Sequence, residues 1–269
     1  MLRYLLTHDK PVLLLLLVYF VVRLPNLTLL PIFNDEAIYL DWGWRETHIP
    51  GMLYYSLYDG KQPLLMWIFG VFQDFFPDPL FAGRLVSVLT GACSLVGIYL
   101  IAKMLFAKNV AYLSSLFYIV IPLFVFFDRQ ALMESAIATV GVFACYCAIK
   151  LWTTNAQRFA YALGIVLGVG FWIKSSVLIF LAAFVILSGI VFWRSTQKAR
   201  VIKHSAIVFA MVIATIPLLL INPDFWASFP RNAQYALTLA ELARFPLVPW
   251  LQNVWANLVI SFFYLTPPD

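Results

Sequence analysis

The run FAYALGIVLGVGFWIKSSVLIFLAAFVILSGIVFW, Phe159 to Trp193, holds a single charge, Lys174, near its middle. A helix crosses the roughly 30 Å hydrocarbon core of a bilayer in about 20 residues, so this run is too long for one crossing. It makes two if the chain turns within IKSS, at Lys174 to Ser176. The charges on either side decide between the two. Two crossings put RSTQKARVIK (194–203) on the same side as KMLFAK (103–108) and the N-terminus, whereas one crossing divides them; the positive-inside rule therefore predicts two.

The same length criterion, applied outward, predicts spans near residues 10–24, 80–102, 109–127, 131–151, 159–173, 175–193 and 204–222, with an eighth apolar stretch starting at Val254. The chain has 269 residues, 63% hydrophobic, 17% aromatic and only 12% charged. Soluble domains carry about a quarter charged residues, so this is a polytopic all-α membrane protein. The first apolar run, PVLLLLLVYFVVRL, follows Arg3 and Lys10 as a signal peptide would, but no small-x-small cleavage site comes after it, so it is expected to remain as an anchor.

The formal charge of +5 does not mark a nucleic-acid binder, because the cations fall in short clusters between apolar runs rather than on one polar face. Cys93, Cys145 and Cys147 lie inside apolar runs and read as packing residues. His8, His48 and His204 have no ligand partners at metal spacing.

With the N-terminus in the cytoplasm, the inner side collects Arg3, Lys10, Lys103, Lys108, Lys150, Arg158, Arg194, Lys198, Arg200 and Lys203. Of the 13 acids only Asp9 lies inside. Acids contribute little to orientation, so their gathering outside points to work done there. The outer side consists mainly of a first loop, 25–79, and a second segment, 222–253. The first loop is too aromatic to be disordered: Trp42, Trp44, Tyr54, Tyr55, Tyr58 and Trp67 suit helices lying in the interface, and QPLLMWIFGVFQDFF is too short to span comfortably.

Four places could carry chemistry. In FNDEAIYLDWG, Asp35 and Glu36 follow Asn34; they are either the first turn of a helix capped by Asn34, or carboxylates opening on an outer cavity where one acts as a general base. Lys61, in YDGKQPLLMW, is either a snorkelling cation or a ligand for a phosphate at the bilayer surface. Arg129 and Glu134 lie in FFDRQALMESAIATVG, with Glu134 expected about one turn inside a helix, facing a cavity or paired with Arg129 or Arg84. Lys174 is an interfacial turn or a further cation of the same site. Together they describe an outer-face site with cations for a phosphate and carboxylates for a hydroxyl, as a sugar carried on a lipid phosphate would need.

In order along the chain, NDEAIYLDWG, GKQPLLMWIFG, DRQALMESAIATVG and GVGFWIKSSVLIF resemble the GT-C-type membrane glycosyltransferases. The likeness is to the group of dolichyl-phosphate-mannose protein mannosyltransferases, lipid A aminoarabinose transferases and Rgt-type lipopolysaccharide glycosyltransferases. It covers the whole chain as the N-terminal membrane half of such an enzyme.

The resemblance implies a bundle of seven to eight transmembrane helices with interfacial helices in the first outer loop. It implies inverting transfer of a hexosyl or pentosyl group from a polyprenyl-phosphate donor to a lipid, glycan or protein acceptor hydroxyl, at the outer face of a bacterial or archaeal plasma membrane. Asp35, with Glu36 beside it, stands at the catalytic base, and Lys61, Arg129, Glu134 and Lys174 at donor-phosphate or acceptor binding. KQP stands where the family has Lys-Pro-Pro, and IKSS where it has Thr-Lys-Gly-Pro, without the Gly-Pro bend. No cofactor is expected, although Asp35, Glu36 and Glu134 are the set that would share a divalent ion.

The family's further spans are missing from the chain, which is therefore expected to be truncated at its C-terminal side. A transporter is the competing class, but it would show internal repeats and ionisable groups at mid-bilayer rather than at span ends. An inactive fragment serving as a scaffold is the other.

Overall fold

The computed structural model describes residues 10–227 and short helical pieces at 247–248, 250–252 and 254–256. The chain divides into two units, 1–228 and 229–269, and the helices named below belong to the first. The second outer segment and the apolar stretch from Val254 lie for the most part outside the described residues.

Helices stand at all seven expected spans. They are α1 (Lys10–Arg23), α4 (Pro79–Leu105), the pair α5 (Lys108–Val120) and α6 (Pro122–Asp128), α7 (Glu134–Thr154), α8 (Arg158–Ile173), α9 (Val177–Arg194) and α10 (Lys198–Thr215). The first outer loop holds α2 (Asn34–His48), a 3₁₀ turn (Tyr55–Asp59) and α3 (Leu64–Gln73), and α11 (Pro217–Ile221) follows α10. No strand occurs among the described residues. Three of the helices, α4, α7 and α9, are long and apolar enough to cross a membrane by themselves, and the bent α5–α6 pair makes a fourth if it is one span. The protein is thus an all-α membrane protein.

The long run does divide at IKSS. Gly164 of α8 lies against Val208 and Met211 of α10, and Gly168 against Thr215. The Trp172 indole N–H donates to the Thr215 carbonyl (2.7 Å). Register therefore advances together along α8 and α10, so they run parallel. Two neighbouring parallel helices require the chain between them to return, and α9 is that return.

The expected third span is broken, bending by 65° between α5 and α6. Proline supplies no N–H to the carbonyl four residues earlier. Pro122 thus orphans the Tyr118 carbonyl, and the bend disconnects that of Ile119. Fully buried Arg23, at the end of α1, serves both: Nη2 donates to Tyr118 O (3.0 Å) and Nη1 to Ile119 O (2.5 Å). Its charge is met by Asp128, which also accepts from the Tyr118 and Ser135 hydroxyls at 3.0 and 2.9 Å. One buried ion pair therefore ties α1, the kink and the start of α7 together.

Around α4 lie two apolar clusters. Val88, Ala92, Leu95 and Tyr99 pack with Tyr19 of α1 and Ile119 of α5, while Val86 joins the larger core of α2, α3 and α7 to α10. Helices α2 and α3 meet at Gly43 and Gly70. A Cβ on Gly43 would lie 2.6 Å from the Met66 carbonyl, so the close approach needs glycine there. This contact folds the outer loop back onto the end of the bundle.

Candidate active site

Helix α2 presents Asp35, Ile38, Tyr39 and Trp42 along one face, at the i, i+3, i+4, i+7 spacing that makes a stripe. Across from it the 3₁₀ turn brings Tyr58 and Asp59. Gly60 then adopts φ 78°, a left-handed conformation that glycine reaches without strain, and closes the turn with its N–H on Leu57 O. The reversal sets Lys61 beside the same stripe. These seven residues, Gly60 apart, line a cavity of about 280 Å³. Asp35 and Lys61 therefore share one hollow.

Burial, followed by the carboxylates of Asp35, Glu134 and Asp59, pushes the Tyr39 phenol well above its ordinary value. Its hydroxyl stays protonated and is available as a donor. Those causes also place Glu134 within electrostatic reach of the cavity. Glu134 itself is the first residue of α7 rather than a turn inside it, and its partner is Lys174 (Nζ–Oε1 2.6 Å) rather than Arg129 or Arg84. The IKSS turn is tied to the Lys61 segment by the Gln62 amide, which donates to Ser175 Oγ (2.6 Å). Gln62, standing where the resemblance has a proline, thus acts as a cross-brace. Trp67 and Trp172 pack ring to ring at 5.6 Å on the same side.

Glu36, expected beside Asp35 in catalysis, does not open on the cavity. One residue along a helix turns a side chain by about 100°, which aims Glu36 into the core. It is 0% exposed, as is Arg84. Arg84 Nε and Nη2 grip its two oxygens at 2.8 and 2.7 Å, Ala131 N–H donates at 2.6 Å, and Phe33 N–H donates at 3.0 Å. The last bond caps α2, so the cap residue is Phe33 and not Asn34. Arg84 further holds the carbonyls of Leu27, Leu30 and Pro31. Glu36 is a structural lock that presents its neighbour.

Arg129 also lies apart. Its guanidinium donates to Val22 O and Asn26 O (3.3 and 2.7 Å) and lines a separate, mainly apolar cleft of about 500 Å³ with Leu29, Leu30 and Phe126. Among the described residues no three His, Cys, Asp or Glu side chains are spaced to hold a metal, and Glu36 is committed to Arg84 rather than to Asp35 and Glu134.

Sequence reasoning passed over Asp59 and Tyr39. Asp59 had a signal, an acid two residues before the singled-out lysine with a glycine between. Tyr39 and Trp42 were legible as the stripe continuing from Asp35, once α2 is drawn as a helix.

Fold and cavity define an all-α integral membrane protein with acidic and basic groups in an aromatic hollow at one end of its bundle. Residues 60–225 match the model of the dolichyl-phosphate-mannose-protein mannosyltransferase family, more than half of the chain, and the protein belongs to that family. Among curated proteins it is similar to the undecaprenyl phosphate-alpha-4-amino-4-deoxy-L-arabinose arabinosyl transferase of Yersinia enterocolitica, 25% identical over 195 residues, which cover 69% of this chain and 34% of that protein. A second such transferase, from Pseudomonas fluorescens, is 25% identical over 206 residues, 72% of this chain and 36% of its own. The chain spans about a third of the length of these relatives.

Proposed function

We propose that this chain carries the reaction cavity of a glycosyltransferase that moves a sugar from a polyprenyl-phosphate donor to an acceptor hydroxyl. The carrying observation is that Asp35 and Lys61, 26 residues apart in sequence, line one cavity walled by Tyr39, Trp42 and Tyr58. The names of the similar transferases support the donor class.

The chemistry follows from the placement. Asp35 accepts the proton of the acceptor hydroxyl as its oxygen attacks the anomeric carbon. The bond from that carbon to the phosphate oxygen breaks on the opposite face, inverting the centre, and the departing lipid phosphate takes the bonding pair. Lys61 stabilises the charge that builds on that phosphate, with Lys174 next to it able to leave Glu134 for the same purpose. The aromatic walls fit the faces of a sugar ring. Two carboxylates, Asp35 and Asp59, outnumber the one lysine in the hollow. That surplus of negative charge suits an amino sugar, the kind named for the relatives, over a neutral or acidic one. The step requires no metal, and the cavity faces the non-cytoplasmic side if the cation clusters lie inside.

The test is sugar transfer in membranes containing the full-length protein, from a panel of polyprenyl-phosphate sugars. Asp35→Asn should lower turnover by about 10²- to 10⁴-fold, the usual worth of a general base, with the folded protein still inserted. Normal turnover by that variant would remove Asp35 as the base, and transfer from none of the donors would reject the activity.

A further inference from the structure

At the end of the bundle away from the Asp35 cavity lies a second hollow of different character. It has a volume of about 350 Å³ and is lined by Trp152 and Asn155 at the end of α7, Arg194 and Ser195 at the end of α9, and Gln197 and Arg200 at the start of α10. Trp152 is 18 residues beyond Glu134 on α7, roughly 27 Å at 1.5 Å per residue, close to a hydrocarbon thickness. The two hollows therefore lie at opposite membrane interfaces.

Among the described residues this mouth is cationic without compensation. No Asp or Glu occurs between Glu134 and Asp224, while Lys150, Arg158, Arg194, Lys198, Arg200 and Lys203 all cluster at this end. Lys150, Arg158 and Lys198 lie over the rings of Tyr146, Phe159 and Phe192. Arg194 and Arg200 make no ion pair among the described residues and line the hollow. Two buried donors or acceptors beside it also lack partners, the Trp152 indole N–H and His204 Nδ1, whose rings are 5.9 Å apart.

Directly inward, along the same seam between α7 and α9, runs an apolar slot of about 170 Å³. Ala148 and Leu187 line it one helical turn from Trp152 and Val191 of the mouth, and it continues to Gly141 and Phe180. From Gly141 to Trp152 is roughly 16 Å along α7, about the depth of one leaflet's hydrocarbon. A charged mouth one helical turn from an apolar slot one leaflet deep has the form of a phospholipid, with the Trp152–Phe184 ring stack at the junction.

We propose that this seam holds one anionic phospholipid, its phosphate between Arg194 and Arg200 with the Trp152 N–H as a further donor, and an acyl chain in the slot beside Ala148 and Phe184. Arginine pairs suit a phosphate because each guanidinium offers a planar fork of donors. The site is separate from the donor lipid of the proposed transfer, which enters at the other interface, and it stands independently of that activity. Binding there adds a bridge among the ends of α7, α9 and α10, which the Trp152 ring already joins through Phe184 and His204.

The test is native mass spectrometry of the full-length protein, delipidated in neutral detergent and titrated with phosphatidylglycerol, phosphatidylcholine or inorganic phosphate. One phosphatidylglycerol should be retained at least about tenfold more tightly than phosphatidylcholine. Arg194→Gln with Arg200→Gln should erase that preference, Trp152→Phe should weaken binding about threefold, and Lys198→Gln with Lys203→Gln, an equal loss of charge outside the lining of the hollow, should change it less than twofold. Ala148→Phe, which fills the slot, should weaken long-chain phosphatidylglycerol but not its dibutyryl form. Equal binding of the two phospholipids, a preference that survives the double arginine variant, or displacement by equimolar inorganic phosphate would each overturn the proposal, the last by revealing a free-anion site.

Discussion

Asp35 and Glu36 are adjacent in sequence and opposite in fate. Glu36 is sealed against Arg84 with every oxygen occupied, whereas Asp35, half-buried, faces a hollow across from Lys61. The difference is that between an ion pair that builds a site and a carboxylate that is open to a substrate. A saturated, dry carboxylate has no lone pair to spare for a hydroxyl proton, however close it stands to the chemistry. Proximity in sequence is thus no guide to role; the 100° between neighbouring helix positions decides it.

The most forceful way to break the comparison is at the lock. Arg84→Met leaves Glu36 charged in the core and frees three loop carbonyls, so it should cost about 3–5 kcal/mol of stability, the usual loss when one partner of a buried pair is removed. Thermal unfolding in detergent measures it. Adding Glu36→Leu should recover much of that loss, because replacing both charges removes the uncompensated one. A single variant as stable as the parent would contradict the account of the lock. On the open side the expectation is reversed: Lys61→Ala should leave unfolding nearly unchanged while raising the donor KM about 10- to 100-fold, equivalent to losing a hydrogen bond to a charged group of about 1.5–3 kcal/mol.

A third carboxylate on α2 is intermediate. Glu46 is buried, accepts from the Ser56 N–H at 2.7 Å through one oxygen and has no partner for the other. Burial pushes its pKa up from 4.5 to about 7, against the lowering effect of Ser56. The folded loop thus keeps a proton that the unfolded loop releases nearer 4.5. Its stabilisation is complete below pH 4.5 and is lost as the pH rises through 7. Hydrogen exchange at Ser56, corrected for intrinsic base catalysis, should therefore show about thirtyfold greater opening at pH 8 than at pH 5.5. Glu46→Gln should flatten the profile, and a flat profile in the parent would mean that Glu46 titrates normally.

These residues also show what the sequence made legible. Apolar length and cation clusters sufficed for seven helices and for the return at IKSS, because crossing a bilayer is a one-dimensional constraint. The kink was missed although Pro122 is plain in the sequence, since whether a proline kinks or ends a helix depends on who takes the freed carbonyls, and Arg23 comes from about 100 residues away. Asp35 and Lys61 were found as charges in an apolar setting. Arg129, with the same signal, is bonded to the α1–α2 loop instead, and no spacing rule separates a cation that braces a loop from one that lines a cavity. Lys174 stands out in the sequence as the one charge of its run, but its pairing with Glu134, for which the sequence offers a cavity or Arg129 or Arg84, is not legible, because contacts between helices distant in sequence leave no local trace.

The rim between lock and cavity gives the smallest effect. Glu134 and Lys174 touch at 2.6 Å with side chains 35% and 37% exposed, so water screens them and two flexible side chains are held in one geometry. A double-mutant cycle with Glu134→Gln and Lys174→Met should give a coupling of only about 0.2–1 kcal/mol in unfolding. That small value is informative, because a weak pair is one that a substrate phosphate can open. If Lys174 turns to the donor, Lys174→Met should change donor binding more than it changes stability, and the coupling to Glu134 should shrink further when donor is bound. A coupling of 3 kcal/mol or more would place the pair with the Glu36–Arg84 lock, and Lys174 would then be a brace for the IKSS turn rather than a second cation for the phosphate.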